Sequence, residues 1–173
     1  MGMIPVWGNI NVYVTSYLRR YDDSLTLGTA FLVFPFTILT GSLFMQLGSY
    51  LIDKMHPKLQ MLIGGFFFAL PVFICSYVKS FVLFAILYSI VLGFGFGLIY
   101  MLPIRNAWLF YPEKKGMVSG LILSCYSIGA IAWIFISTAV ANPNNEPAAL
   151  HVKVGKNEEH LFYPDSDVAD NVP

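Results

Sequence analysis

The sequence predicts an all-α fold, a polytopic transmembrane bundle of about five helices. Three observations lead there. Hydrophobic residues make up 57% of the 173 positions and charged residues only 12%, where an ordinary soluble domain carries about 25% charge. The charges are gathered into a few short stretches, with long uncharged runs between them. Those runs have the roughly 20-residue length a helix needs to cross hydrocarbon while bonding its own backbone.

Four runs meet that requirement well: 25–51, 59–78, 81–111 and 117–140. A fifth helix is expected over 4–18. It is shorter and more polar, with Asn9, Asn11, Thr15 and Ser16, as fits a helix cut short at its beginning or one facing a wet cavity. The connections Arg19–Asp23, Asp53–Lys58, Lys79–Ser80 and Pro112–Gly116 are brief, so consecutive helices are antiparallel neighbours. Beyond Ala141 the character changes. The stretch ANPNNEP is a turn-rich stop, and 141–173 reads as a polar, acidic loop or tail carrying Glu146, Glu158, Glu159, Asp165, Asp167 and Asp170 against Lys153 and Lys156.

Several function classes are set aside by these features. A net charge of +0 lacks the basic excess of a nucleic-acid binder, so no nucleic-acid partner is expected. The two cysteines, Cys75 and Cys125, lie inside apolar runs and imply no disulfide framework. His151 and His160 stand nine apart with no cysteine nearby, which is not a metal-site spacing, and no metal or other cofactor is expected. The opening MGMIPVWGN has neither the basic region nor the cleavage site of a signal peptide, and Val6 fails the myristoylation pattern. Adjacent acids Asp22–Asp23 and Glu158–Glu159 sit in polar stretches, and no Ser, His and acid are brought together by any spacing. The chain is not expected to be an enzyme.

Within the helices, polar and small residues mark particular faces. Asn9, Tyr13, Ser16 and Tyr17 share one face of the first helix. Polar groups in hydrocarbon are costly unless they face protein or a water-filled path, so this face either contacts a polar solute or hydrogen-bonds neighbouring helices. In the fourth helix Ser89, Gly93, Gly97 and Tyr100 share a face, and Gly93–Gly97 has the GxxxG spacing that lets helices approach closely. The fifth helix presents Gly116, Gly120 and Ser124 at steps of four, a face suited to close packing or to sliding. Pro35 is positioned to bend the second helix. Arg105 follows Phe81 by about 36 Å of helix, beyond a core of about 30 Å. It therefore reaches the far interface and can snorkel there, beside the aromatic belt residues Trp108, Phe110 and Tyr111.

The loop GSYLIDKMHPKLQ (48–60) resembles the cytoplasmic 2–3 loop of the major facilitator superfamily, Gly-x-Leu-Ala-Asp-Arg-x-Gly-Arg-Arg, through Leu51, Asp53, Lys54 and Lys58. WGNINVYVTSYL (7–18) is similar to the first helix of oxalate/formate antiporter-like and monocarboxylate transporter-like members. NAWLFYPEKKGMVSGLILSCYSIGA (106–130) is similar to their 4–5 junction, and VANPNNEP…DVADNVP to their loop after helix 5. The resemblance covers nearly the whole chain in family order and identifies it with an incomplete N-terminal half of that fold.

What the resemblance implies is secondary transport by alternating access, for a small organic solute such as a monocarboxylate. It places the 2–3 and 4–5 loops in the cytoplasm. It makes Asp53, Lys54 and Lys58 a cytoplasmic gate. Asn9, Tyr13, Ser16, Tyr17 and Tyr100 then line the solute path, and the small faces of helices 2 and 5 meet a C-terminal half. The partners so implied are the lipid bilayer, that missing half and the solute. Two departures matter. Ser89 stands where many relatives carry an arginine, and no Lys or Arg lies mid-membrane, so a buried anion would lack a countercharge. The chain alone is thus expected not to transport, as a fragment. A non-transporting structural subunit of a larger membrane complex is the rival expectation.

Overall fold

The structure, a computed structural model, describes residues 6–154 and 157–162. The expected helix start at Ile4 lies outside them, as do Lys156, Asp165, Asp167 and Asp170. The described residues form a helical membrane bundle of five helices with one small hairpin. The first helix is α1 (Trp7–Leu18), and its 12 residues span about 18 Å, short of a bilayer core of about 30 Å. The other four, Leu27–Ile52, Pro57–Cys75, Phe81–Phe110 and Pro112–Ala141, are each long and apolar enough to cross. The chain is an integral, multi-pass membrane protein. Its outer surface agrees, since Leu43, Leu62, Phe73, Leu109 and Phe135 all stand exposed as lipid-facing side chains do.

The second helix is broken into α2 (Leu27–Phe31) and α3 (Val33–Ile52). Thr26 caps it, its hydroxyl accepting the Thr29 N–H at 3.3 Å. Pro35 has no N–H to offer the Phe31 carbonyl and its ring crowds that oxygen. The ladder accordingly slips at Leu32, whose N–H bonds only three residues back, to Thr29. The third helix, α4 (Pro57–Cys75), starts with proline in its first turn and His56 as cap, and ends at Cys75, ahead of the Val78 suggested by hydropathy. The fourth runs as α5 (Phe81–Ile86), a π-turn (Leu87–Val91) and α6 (Leu92–Phe110). A 3-10 turn, Pro112–Lys114, leads into α7 (Lys115–Ala141).

The fourth helix is the centre of the bundle. Of its most apolar window 56% is buried, against 6% for the helix ending in α7. Glycine makes that centrality possible. A Cβ on Gly97 would lie 2.7 Å from the Gly41 carbonyl oxygen, and one on Gly48 would lie 2.5 Å from the Gly97 oxygen, so α3 and α6 touch backbone to backbone. Gly95 meets α4 in the same way, at the backbone of Phe67 and Phe68. Gly41 and Gly48 of helix 2 thus face inward to α6, which corrects the expectation that its small face is turned to a partner. Gly116 and Gly120 of α7 have nothing within 4 Å of a Cβ. The π-turn and the break in helix 2 meet at the Val33 carbonyl, which accepts from Ser89 Oγ at 3.3 Å and from Thr37 Oγ1 at 2.7 Å. Among the described residues a cluster of buried apolar side chains gathers Trp7, Leu18, Phe84, Tyr88 and Leu92 between α1 and the fourth helix.

The acidic stretch after Ala141 contains structure that its composition concealed. Asn142 closes a turn with Glu146, and β1 (Leu150–Val154) pairs antiparallel with β2 (Asn157–Leu161). The hairpin docks onto the ends of helices 1 and 2. Leu161 and Phe162 are buried, Phe162 stacks on Tyr13 at 5.3 Å, and its N–H donates to Ser16 Oγ at 3.1 Å. The Glu159 carboxylate accepts from the Leu27 N–H at 2.7 Å and the Gly28 N–H at 3.3 Å, satisfying the bare donors at the start of α2.

Candidate functional site

Helix α1 brings one aromatic face against the ends of α4, α5 and α7, and the four do not close on each other. They leave a chamber of about 280 Å³, near the lower end of the range for small-ligand sites. From α1 come Trp7, Tyr13 and Tyr17; from α4, Cys75; from the fourth helix, Phe84 and Tyr88; from α7, Trp133 and Ser137. No Asp, Glu, Lys, Arg or His is among its lining residues.

Two of the residues that border it hold an unsatisfied polar atom. Trp7 is 1% exposed and Tyr88 5%, and neither Trp7 Nε1 nor the Tyr88 hydroxyl has a hydrogen-bond partner. Their rings lie 4.9 Å apart, and both pack against Phe84. A buried polar group left unpaired costs about 1–3 kcal/mol, and both atoms are sealed among the packed rings, with no surface open to the chamber. Both groups are neutral, and none of the described residues that line the chamber carries a charge.

The five path residues expected from sequence are separated by the structure. Tyr13 and Tyr17 border the chamber. Asn9 does not, and its Nδ2 donates to Thr138 Oγ1 at 2.8 Å, tying α1 to α7. Ser16 is buried under the hairpin, donating to the Val12 carbonyl and accepting from Phe162. Tyr100 lies on α6, packed on Phe96 at 5.1 Å. For Asn9 the interhelical reading of the polar face therefore describes the contact made; Ser16 joins its helix to the hairpin. Trp7, Tyr88 and Cys75 carried no signal beyond apolar or aromatic character, because residue spacing within one helix does not reveal which side chains of other helices it meets.

At the opposite end of the bundle, Asp53 is paired with Arg105. The guanidinium makes two bonds to the carboxylate, at 2.8 and 3.2 Å, and a third to the Ser49 carbonyl at 3.1 Å. Arg105, expected to snorkel as an interfacial anchor, is also the cation that holds the loop aspartate. Lys54 and Lys58 are exposed, Lys54 lying 5.7 Å from the Tyr50 ring. Beneath this pair, Gln60 is buried and was not foreseen. Its Nε2 donates to the carbonyls of Gly48 at 2.8 Å and Leu98 at 2.9 Å, so one amide of α4 bridges α3 and α6. The aromatic belt also has a second use, since Trp108 Nε1 donates to Ser119 Oγ at 2.8 Å and joins α6 to α7.

Comparison with known proteins adds kinship to this geometry. The chain is 27% identical over 207 aligned residues to apicoplast pyruvate carrier 1 of Toxoplasma gondii, an alignment covering 96% of the chain and 37% of the carrier. It is 26% identical over 140 residues to the oxalate:formate antiporter of Oxalobacter formigenes, covering 78% of the chain and 32% of the antiporter. The chain thus spans about a third of the length of these relatives. No family model matches it, and no solved structure matches. The likeness is to membrane solute transporters, and neither relative is an enzyme.

Proposed function

We propose that this chain is the N-terminal, solute-contacting part of a secondary transporter of the major facilitator type, moving a small organic solute such as a monocarboxylate by alternating access. The observation that carries the reading is the aromatic chamber, where α1 meets the ends of three other helices. Its relatives, a pyruvate carrier and an oxalate:formate antiporter, support the solute class. Tyr13 and Tyr17 then border the path. Asp53, held by Arg105, and the exposed Lys54 and Lys58 belong to a gate at the other end. The open face of α7 at Gly116, Gly120 and Ser124 is the surface offered to the rest of the transporter, where small residues allow close approach. In this reading the chain alone carries no anion, since none of the described residues lining its chamber is charged to balance one.

The test is uptake of radiolabelled pyruvate and oxalate into proteoliposomes, with the chain alone and with the protein encoded by its full reading frame. Uptake is expected only in the second case. A full-frame protein that binds and moves neither acid would end this reading.

A further inference from the structure

We infer that His151 and His160 form a two-imidazole site for a divalent transition cation such as zinc, which clips β1 to β2 where the hairpin is docked on the bundle. The two residues stand nine apart in the chain, a separation that suggests no metal site when taken linearly. The strand register undoes that separation. His151 lies directly opposite His160, which sets their Cβ atoms about 4.5–5.5 Å apart, and their ring centres are 4.5 Å apart, edge to face. Two imidazoles that share one cation through metal–nitrogen bonds of about 2.0–2.1 Å hold their ring centres roughly 4.5–5 Å apart when the bonds meet at a right or tetrahedral angle. The pair thus stands at the ring spacing a shared ion requires, and rotation about the side-chain bonds turns a nitrogen of each ring toward a common point.

The two faces of the hairpin explain why the pair is accessible. Side chains alternate along each strand. Leu161 is buried and Glu159 bonds the start of α2, so their face is committed to the bundle. His151 and His160 lie on the other face and are exposed. Imidazole nitrogen suits zinc, nickel and copper, whereas magnesium and calcium take oxygen ligands. Among the described residues no group of three His, Cys, Asp or Glu could hold a metal, so the protein supplies two ligands and water the others. An ion gripped by both rings is held only while the strands are paired. It therefore stabilises the hairpin that carries Glu159 and Phe162 to helices 1 and 2.

The test uses the whole chain in detergent micelles, purified without a polyhistidine tag. Zinc chloride is titrated by calorimetry at pH 7.5, and amide exchange is followed across 150–154 and 157–162. One zinc per chain is expected, with hairpin exchange slowed about tenfold when free zinc is ten times the dissociation constant. Magnesium chloride should do neither. At pH 5, where protons compete for the ring nitrogens, zinc affinity should fall by at least about tenfold. His151→Gln and His160→Gln are each expected to weaken zinc binding by at least about tenfold, and metal-free exchange at the parental rate in α3 and α6 shows that each variant is folded. If one variant folds poorly, the other decides alone. No binding up to about 1 mM zinc overturns the inference, as does affinity that survives either substitution. Equal protection by magnesium, or zinc binding that leaves hairpin exchange unchanged, does the same. None of these outcomes bears on the transport reading, which stands or falls on uptake by the full-frame protein.

Discussion

Asp53 and Arg105 lie 52 residues apart in the chain and form a two-pronged ion pair at the loop end of the bundle. Their side chains are 65% and 34% exposed, so solvent screens the pair and its worth is modest. Asp53→Asn is expected to lower thermal stability in detergent by about 0.5–1 kcal/mol. Arg105→Lys should cost a similar amount, because an ammonium cannot reproduce the guanidinium fork. A calorimetric scan of the three proteins checks both. In the loop at the other end, Asp22 is held below the usual carboxylate range, chiefly by the Ser24 hydroxyl and then by the Ser24 N–H, with Arg19 adding a smaller pull and desolvation opposing. A depressed folded value stabilises above the ordinary carboxylate pKa, and the benefit is lost as pH falls through the folded value. The Ser24 amide resonance is thus expected to stay fixed from pH 8 to about 5 and to move only below about pH 4, and Asp22→Asn to remove that movement. Both Asp53 and Arg105 stood out in the sequence, one by its loop pattern and one by its distance along a helix. Their pairing did not, since nothing in a hydropathy period links two positions that far apart.

Among the elements, the glycines divide into those that touch backbone and those that face open space. Gly48→Ala and Gly97→Ala would drive a methyl group into carbonyl oxygens that cannot rotate away, and each is expected to destabilise by about 1–3 kcal/mol. Gly120→Ala meets nothing and should be neutral or stabilising by up to about 1 kcal/mol through helix propensity. Unfolding titrations in mixed micelles distinguish the two classes. The sequence marked Gly93–Gly97 and the α7 glycines as packing faces alike, because spacing shows that a face is small and not what lies against it. Helices were legible because hydrocarbon requires long apolar runs. The hairpin was obscured by its acids. Its available signal was the alternation of Leu150, Val152 and Val154 with polar residues, a period of two, and the attachment by Glu159 had no local signal at all. Glu159→Gln weakens a charge-assisted bond to two N–H groups and is expected to speed amide exchange across 150–154 and 157–162 by about tenfold. An unchanged exchange rate would show that Phe162 and Leu161 hold the hairpin unaided.

For the whole molecule, the hairpin and the Asp53 loop sit at opposite ends of the second helix. Its 26 residues measure about 39 Å, more than the bilayer core of about 30 Å. Cysteines placed at Lys54 and Glu158 are therefore expected to react with an impermeant maleimide from opposite sides of sealed vesicles, and labelling of both from one side would contradict the arrangement. Sequence supplied the greasy frame and the order of its parts. It withheld how firmly each region is joined. At the loop end, one amide on Gln60 clasps two other helices whose backbones already touch. Toward the chamber, a proline-broken helix lies against a π-turn. If the helices swing against one another, the Gln60 clasp is a natural fulcrum. A tilt of about 5° there, carried along a lever of about 30 Å, displaces the far end by roughly 3 Å, close to the diameter of a water molecule.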